Sequence, residues 1–346
     1  MSDSSIKPPT MIDIARLAGV SPMTVSRAFR SGGVVNEKTR AAVMAAADQL
    51  GYVFDSTASA LRSQRTDFVA VTIPSLNNAN FAETVRGLTD MLAPSGLQIL
   101  LGATDYDMES EEKLIGQLLR RRPEAIVVTG GKHTARARAM LKAARVPVIE
   151  TWDLPEAPLD HVVGFSNADA VAGLVDHLVS LGRRRIAFIG GDQTRDTRGT
   201  DRRAGFIAAM TRHGLDASRL IAAGRPPISM REGSQAMGRL LAEMPDIEAV
   251  ICVSDLSGFG ALCECQRRGI AVPGQITIAG FGDYEIAGTC VPSLTTVNPF
   301  SYEIGRETGR IILDAREGRI TAPQTIRITP ELLVRESSAA LQPVTL

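Results

Sequence analysis

Residues 10–27, TMIDIARLAGVSPMTVSR, constrain this chain more than any other stretch. They predict two short helices joined by a tight turn. Thr10 is placed to N-cap the first helix, with Asp13 three residues on in capping-box position. Ile12, Ala15 and Leu17-Ala18 supply the expected apolar stripe, and Gly19 relieves a turn where positive φ would strain another residue. Ser21-Pro22 restarts the chain as an N-cap followed by proline at the first helical position, where a missing N–H is harmless. Val25 and Phe29, four apart, form the expected buried face of the second helix. Ser21, Pro22, Met23, Thr24, Ser26 and Arg27 are left on its exposed side and N-terminal end. A helix-turn-helix places its base and phosphate contacts there. An ordinary helical hairpin is the competing reading, and the exposed Ser/Thr/Arg set argues against it.

A third helix follows. Asn36 caps it, Thr39 sits three residues later, and Val43, Ala46-Ala47 and Leu50 are its apolar positions before Gly51 ends it. Three helices in some fifty residues make a domain with a marginal core, which leans on a partner or on DNA. These residues resemble the DNA-binding domain of the LacI family of bacterial repressors. The family's opening pattern stands here as Asp13-Ile14-Ala15, Ala18-Gly19-Val20-Ser21 and Thr24-Val25-Ser26-Arg27. Its continuation stands as Val35, Thr39-Arg40, Val43 and Leu50-Gly51-Tyr52. The resemblance adds Thr10, Asn36, Thr39 and Tyr52 to the recognition-helix residues as DNA-contact candidates. Within that set, Arg27 suits a guanine edge, and Pro22 and Met23 suit thymine methyl groups.

Composition bounds the remainder. A chain of 346 residues with 44% hydrophobic residues can bury a sizeable core and divide into two or three domains. It has no long apolar run and no charged-then-apolar leader, which reads as a cytoplasmic protein without a membrane partner. The four cysteines lack zinc-site pairing, and Cys263-Glu264-Cys265 reads as helix positions, so no metal or cofactor is expected. The formal net charge is zero, which looks wrong for a DNA binder until it is divided. Residues 1–66 hold eight Lys/Arg against five Asp/Glu, leaving +3 there and −3 on the rest. A small basic head on a neutral-to-acidic body suits local phosphate contacts.

Residues 54–66 are polar, rich in small side chains and linker-like by composition. The LacI resemblance implies a hinge helix here, with Ala58 and Leu61 at the family's positions and Leu61 wedging into the minor groove. Packing of Leu61 on the body is the alternative.

From Phe68 onward, short β-branched runs alternate with amphipathic stretches. Strands are expected at 68–73, 98–101, 125–128 and 146–149, and in a second series at 162–165, 186–189, 249–253 and 276–280. Alternating βα units predict parallel sheets covered on both faces, here two doubly wound lobes with a ligand between their strand C-termini. The expected fold class is α/β: a three-helix helix-turn-helix domain plus a periplasmic-binding-protein-like core. The expected divisions are 1–53 for the head, 54–66 for the hinge, 67–161 with 298–317 for the first lobe, and 162–297 with 318–346 for the second.

Gly190-Gly191-Asp192 and Gly130-Gly131-Lys132 follow strands but form neither G-x-G-x-x-G nor a P-loop, and the four histidines are scattered. No catalytic residues are expected. A sugar-binding protein is the other class with such a core, and it has no use for a helix-turn-helix. Effector candidates are loop residues after strands: Asn77-Asn78, Phe81, Asp105-Tyr106 and Trp152 in the first lobe. Trp152, the sole tryptophan, reads either as a ring beneath a sugar-like face or as lobe-interface packing. In the second lobe, Arg202-Arg-Ala-Gly-Phe206 matches a family form that implies an effector clamp at Arg202. Ser254-Asp255 and Gly280-Phe281-Gly282-Asp283 match later family strands, adding Ser254, Asp255 and Asp283. Gly282 stands where many members carry an acid, which favours an anionic ligand beside Arg202. Segments at 74–87, 161–167 and 264–269 resemble the gluconate-operon repressor branch, which implies a gluconate-like sugar acid or its phosphate as effector; a neutral sugar or purine is the alternative. The expectation is a homodimeric repressor that reads a pseudo-palindromic operator on double-stranded DNA.

Overall fold

A computed structural model describes residues 8–29, 34–53, 66–191 and 194–339. The chain divides into two compact units, 1–65 and 66–346. Ala58 and Leu61, and with them the expected hinge helix, lie outside the described residues.

The first unit holds α1 (Met11–Ala18), α2 (Pro22–Ala28) and α3 (Glu37–Leu50). Gly19 ends α1 at φ +65°, a left-handed turn that a Cβ would strain. The core is formed by Ile14, Ala15, Val25, Ala28, Val43, Ala46 and Ala47, with Met11, Ala18, Phe29, Leu50 and Tyr52 packed around it. The expected stripe on α1 is corrected here. Ile12 and Leu17 are 60% and 46% exposed, and the buried line runs through Met11, Ile14, Ala15 and Ala18. The i, i+3, i+4, i+7 spacing of a helix selects that set and leaves Ile12 and Leu17 off its axis. Arg40 from α3 donates to the Ala28 carbonyl at the end of α2, tying the helices together.

The second unit begins with β1 (Phe68–Ile73), α4 (Ala79–Leu92), β2 (Gln98–Ala103), α5 (Met108–Arg120), β3 (Ala125–Thr129), α6 (Ala135–Ala143), β4 (Val148–Thr151) and β5 (His161–Gly164). It continues with α7 (Asn167–Ser180), β6 (Ile186–Gly190), α8 (Thr197–Arg212), β7 (Leu220–Ala222), α9 (Met230–Glu243), β8 (Ala249–Cys252), α10 (Asp255–Arg267) and β9 (Thr277–Ala279). It closes with α11 (Glu285–Thr289), β10 (Thr296–Asn298), α12 (Ser301–Arg316), β11 (Thr325–Arg327) and β12 (Glu331–Leu333). The first lobe is a parallel sheet of order β11-β5-β4-β3-β1-β2, and the second a parallel sheet of order β7-β6-β8-β9. Helices cover both faces, so the central strands are almost wholly buried and read as near-continuous apolar runs. The helix α12 returns to the first lobe against α4 so closely that a Cβ on Gly305 would stand 2.0 Å from the Thr84 carbonyl oxygen.

The lobe boundary differs from the expected one. The strand expected at 162–165 as the start of the second lobe is β5, at 161–164; it pairs in parallel with β4, and β11 joins its other side. Parallel neighbours are normally joined by a helical crossover, and the loop 152–160 contains none, so the expected break fell one strand early. The segment after 318 is likewise shared between lobes. Its β11 extends the first sheet, β12 pairs antiparallel with β10, and Ser337 donates to the Ile278 carbonyl of β9 at 2.6 Å. Among the described residues, no helix is long and apolar enough to cross a membrane.

Candidate nucleic-acid interface and ligand cleft

In the head, Thr10 donates its N–H and hydroxyl to the Asp13 carboxylate at 2.9 and 2.6 Å, closing the N-terminus of α1. Ser21 caps α2 by accepting the Thr24 N–H at 3.1 Å, with Pro22 at the first helical position. Asn36 caps α3 by accepting the Thr39 N–H at 2.8 Å. Packing of Val25 and Ala28 fixes the rotation of α2. Ser21, Pro22, Met23 and Arg27 are consequently exposed, with Thr24 and Ser26 partly so. Met23 is 65% exposed. Thr39 is partly buried beside Asn36, and Tyr52 packs on the head core with its ring centroid 6.1 Å from that of Phe29.

In the second unit, a cleft of about 600 Å³, counting its open mouth, lies beyond the C-terminal ends of both parallel sheets. That is where open α/β sheets bind ligands. Of the expected effector residues, Asn77, Phe81, Trp152, Arg202 and Ser254 line it, while Asp105, Asp255 and Asp283 do not. Asp105 is exposed beside it. Asp255 is completely buried, accepting the Tyr284 N–H at 2.8 Å and the Thr296 hydroxyl at 2.6 Å. Burial raises its carboxyl to about 6. It anchors the 281–284 loop from behind. Asp283 is turned away, paired with Arg335 at 2.6 Å. Trp152 is 1% exposed and its indole N–H donates to the Thr84 hydroxyl at 3.1 Å, so it is a wall packed between Phe81 and Phe165.

Arg202 is held from three sides. Its Nε donates to Asn167 Oδ1 at 2.9 Å, its Nη1 donates to the Val253 carbonyl at 2.8 Å, and its guanidinium lies 3.6 Å from the Phe281 ring centroid. Burial lowers its pKa to about 10, which still leaves a cation at neutral pH. Asn167 in turn donates to the Trp152 carbonyl at 2.9 Å, coupling the arginine to the first lobe. Gly282 sits at φ +129°, and a Cβ there would meet the Tyr284 ring at 2.5 Å and the Asn80 amide at 2.7 Å. A side chain at that position has no room, because Tyr284 and Asn80 occupy the space it would take.

Sequence reasoning missed Arg198, Asp196 and Tyr284, which line the cleft, whereas Asn78 and Tyr106, expected in the loops after β1 and β2, do line it. Tyr284 donates its hydroxyl to Asn78 Oδ1 at 2.7 Å, and the Asn78 amide reaches the Tyr106 hydroxyl at 3.4 Å, so the two lobes meet across the cleft. Burial raises both phenols, which therefore stay neutral. Further contacts bridge the lobes at the rim: Lys132 to Asp201 at 2.6 Å and Arg195 to Asp107 at 3.6 Å. One signal was available, since Arg198 precedes Arg202 by four residues and so shares its helix face. Which member of the Asp105-Tyr106 pair enters the cleft is set by backbone geometry. Asp105 and Tyr106 both take positive φ, +53° and +56°, which turns the tyrosine inward and the aspartate out. Trp152 and Asp283 share this conformation, so four of the seven non-glycine residues with positive φ among the described residues lie in or beside the cleft. Such strain concentrates at ligand sites.

Residues 10–55 match the family described as bacterial regulatory proteins, lacI family, and residues 175–338 match a periplasmic binding protein-like domain. An HTH-type transcriptional regulator called GntR from Pseudomonas aeruginosa is 36% identical over 330 residues, covering 95% of this chain and 96% of that protein. The crystal structure of a LacI-family transcriptional regulator from Silicibacter pomeroyi superposes with a TM-score of 0.89 at 34% identity, covering 96% of this chain and all of that one. That of a transcription regulator GntR from Chromobacterium violaceum gives a TM-score of 0.73 at 35% identity, covering 78% of this chain and 99% of its own.

Proposed function

This chain belongs to the lacI family of bacterial regulatory proteins, and on that premise we propose that it is a repressor released from its operator by a sugar acid such as gluconate. It is a DNA-binding transcriptional regulator with a helix-turn-helix head and a two-lobed ligand-binding unit. In the proposed mechanism the N-terminal end and exposed face of α2 enter the major groove, where Arg27 reads a base and Ser21, Pro22, Met23, Thr24 and Ser26 line the contact. Thr10, Asn36, Thr39 and Tyr52 hold the phosphate backbone, fixing register without reading sequence. Ala58 and Leu61 complete the contact in the minor groove. The working species is a cytoplasmic homodimer without catalytic activity, matching a two-fold operator.

One observation carries the ligand class. The cleft presents two guanidinium groups, Arg198 and Arg202, against one carboxylate, Asp196. Such a low-dielectric site favours an anion with hydroxyl groups for Asn77, Asn78, Ser254 and Tyr284. A thermal-shift series on the purified chain with gluconate, other sugar acids, phosphosugars, neutral sugars and purines tests this. At 100 times its Kd, a ligand specific to the folded state adds about 2.7 kcal/mol. Stabilisation by gluconate together with release of fluorescent operator DNA is the expected result. Stabilisation by a neutral sugar or purine, with none by any sugar acid, refutes the effector reading.

A further inference from the structure

We propose that Arg198, not Arg202, receives the effector's carboxylate, and that Arg202 is a positioning residue which shapes the cleft around it. This rests on the sugar-acid reading above and assigns its charged end to one side chain.

The two arginines stand one helical turn apart on α8, yet their surroundings differ. Arg202 already donates to Asn167 and to the Val253 carbonyl and stacks on Phe281. Those contacts orient its guanidinium and occupy much of its donor capacity. Arg198 is 5% exposed, and its one hydrogen bond among the described residues is a long one, from Nη1 to the Thr129 carbonyl at 3.4 Å. No carboxylate among the described residues lies within ion-pairing distance of it. Two ring faces flank it, Phe81 and Tyr106, with centroids 5.5 and 5.9 Å from its Cζ, and Asp153 is near enough to feel its charge without an ion pair. A guanidinium brings five N–H donors in a planar fork, and leaving most of them dry and unmatched is costly. Aromatic faces offset part of that cost but accept no in-plane hydrogen bond. The fork is therefore complete only when an acceptor enters the cleft, and a carboxylate matches its geometry with two parallel bonds.

The placement of Arg198 also gives the carboxylate a mechanical consequence. Arg198 belongs to the second lobe, whereas Thr129, Phe81 and Tyr106 belong to the first. A carboxylate bound to the fork is enclosed by both lobes at once, so its binding energy favours the closed cleft. The neutral part of the effector then extends toward Asn78, Tyr284 and Ser254, and Trp152 and Phe281 supply apolar walls.

The test is calorimetric titration of the full chain with sodium gluconate and with gluconamide, which replaces the carboxylate by a neutral amide of the same shape. The wild-type chain is expected to prefer gluconate by tenfold or more. In Arg198→Met, which keeps length and removes charge, gluconate affinity is expected to fall about 100-fold while gluconamide changes little, so the preference disappears. In Arg202→Met both ligands are expected to weaken together, with the preference retained. Arg198→Lys, the milder variant if Arg198→Met does not fold, is expected to keep the preference for gluconate but lose about tenfold in affinity with the fork. Full preference for gluconate in Arg198→Met overturns the assignment, as does loss of preference in Arg202→Met alone. Unchanged gluconate affinity in Arg198→Lys overturns it too. If the wild-type chain binds neither compound but binds a neutral sugar, the sugar-acid reading itself falls. That result is distinct from a wild-type chain that binds gluconate through the other arginine.

Discussion

The head and the cleft use polar side chains in opposite ways. In the head they stand outside and finish helices: Thr10, Ser21 and Asn36 cap, and Arg27 points to solvent over a core of seven residues, four of them alanine. In the cleft they stand inside, with Arg198 and Asp196 at 5% and 8% exposure, and it is the packing around them that is large. A surface that reads DNA can be built from one local stretch on a thin core. A pocket that desolvates a charged ligand needs a deep core and side chains gathered from seven strand ends.

The thinness of the head core gives the largest expected effect. A charge placed at fully buried Val25 has no partner there, and Val25→Asp is expected to cost more than about 4 kcal/mol, beyond what so small a core can absorb. Fluorescence anisotropy should show operator binding lost, while calorimetry shows effector binding within twofold of the parent. Loss of both activities would mean that the two units do not fold independently, and the contrast between them would fail.

This contrast also explains what the sequence could and could not tell. The head was legible because its determinants are local: caps, a proline and a glycine at fixed offsets, and a helical period. Even there, Ile12 and Leu17 were placed on the buried stripe by their apolarity, and the packing of Ile14 and Ala15 corrected that. The alternation of strands and helices gave two parallel lobes, but the loop between β4 and β5 lacks a helix, so the lobe boundary shifted by a strand. The cleft was half legible. Asn77, Phe81, Trp152, Arg202 and Ser254 follow strands and line it as expected. Asp255 and Asp283 follow strands too, yet one is buried as an anchor and the other is paired with Arg335, a residue 52 positions away. Such partners are set by tertiary packing, and no spacing in the chain encodes them.

Within the second unit, a buried triad gives the next largest effect. The His133 side chain is fully buried, with Nδ1 2.9 Å from Glu111 Oε2 and Nε2 3.6 Å from Glu150 Oε1. Burial pulls the imidazolium down, but the hydrogen bond to Glu111 and the charges of Glu111 and Glu150 outweigh it and hold the pKa at about 9, above the ordinary 6.5. A folded-state pKa raised above the unfolded one stabilises fully below about pH 6.5 and loses that contribution as pH rises through about 9. The loss is about 3 kcal/mol, confined to the 66–346 unit. Thermal unfolding of the wild-type chain between pH 6 and 10, set against His133→Gln, measures it. A variant with the same pH slope as the wild type would show that the triad does not titrate in this range.

Arg27 tests the head's outer face without touching its core. Because it is exposed and free of the packing that fixes α2, Arg27→Ala should leave stability unchanged. Loss of a base contact is expected to cost about 2 kcal/mol on the operator and to relax discrimination at one position of each half-site. Equal weakening on operator and random DNA, in anisotropy at fixed salt, would reduce Arg27 to a phosphate contact.

Ser21 gives the smallest effect and the finest test of the comparison, since in the head one side chain is asked to cap and to contact. Its hydroxyl accepts the Thr24 N–H and lies 2.9 Å from the Thr24 hydroxyl, while the residue itself is exposed. Removing the cap in Ser21→Ala is expected to cost the head about 1 kcal/mol. Ser21→Asn restores a capping oxygen with a different reach, so it separates the two roles. If Ser21 acts through the helix end alone, the asparagine variant regains both head stability, read by amide exchange in α2, and operator affinity. If the hydroxyl also meets the DNA backbone, stability returns but affinity does not, and the shortfall reads the strength of that single contact. Recovery of affinity without recovery of protection in α2 would contradict both roles, because an uncapped α2 could not present its N-terminal end to the groove.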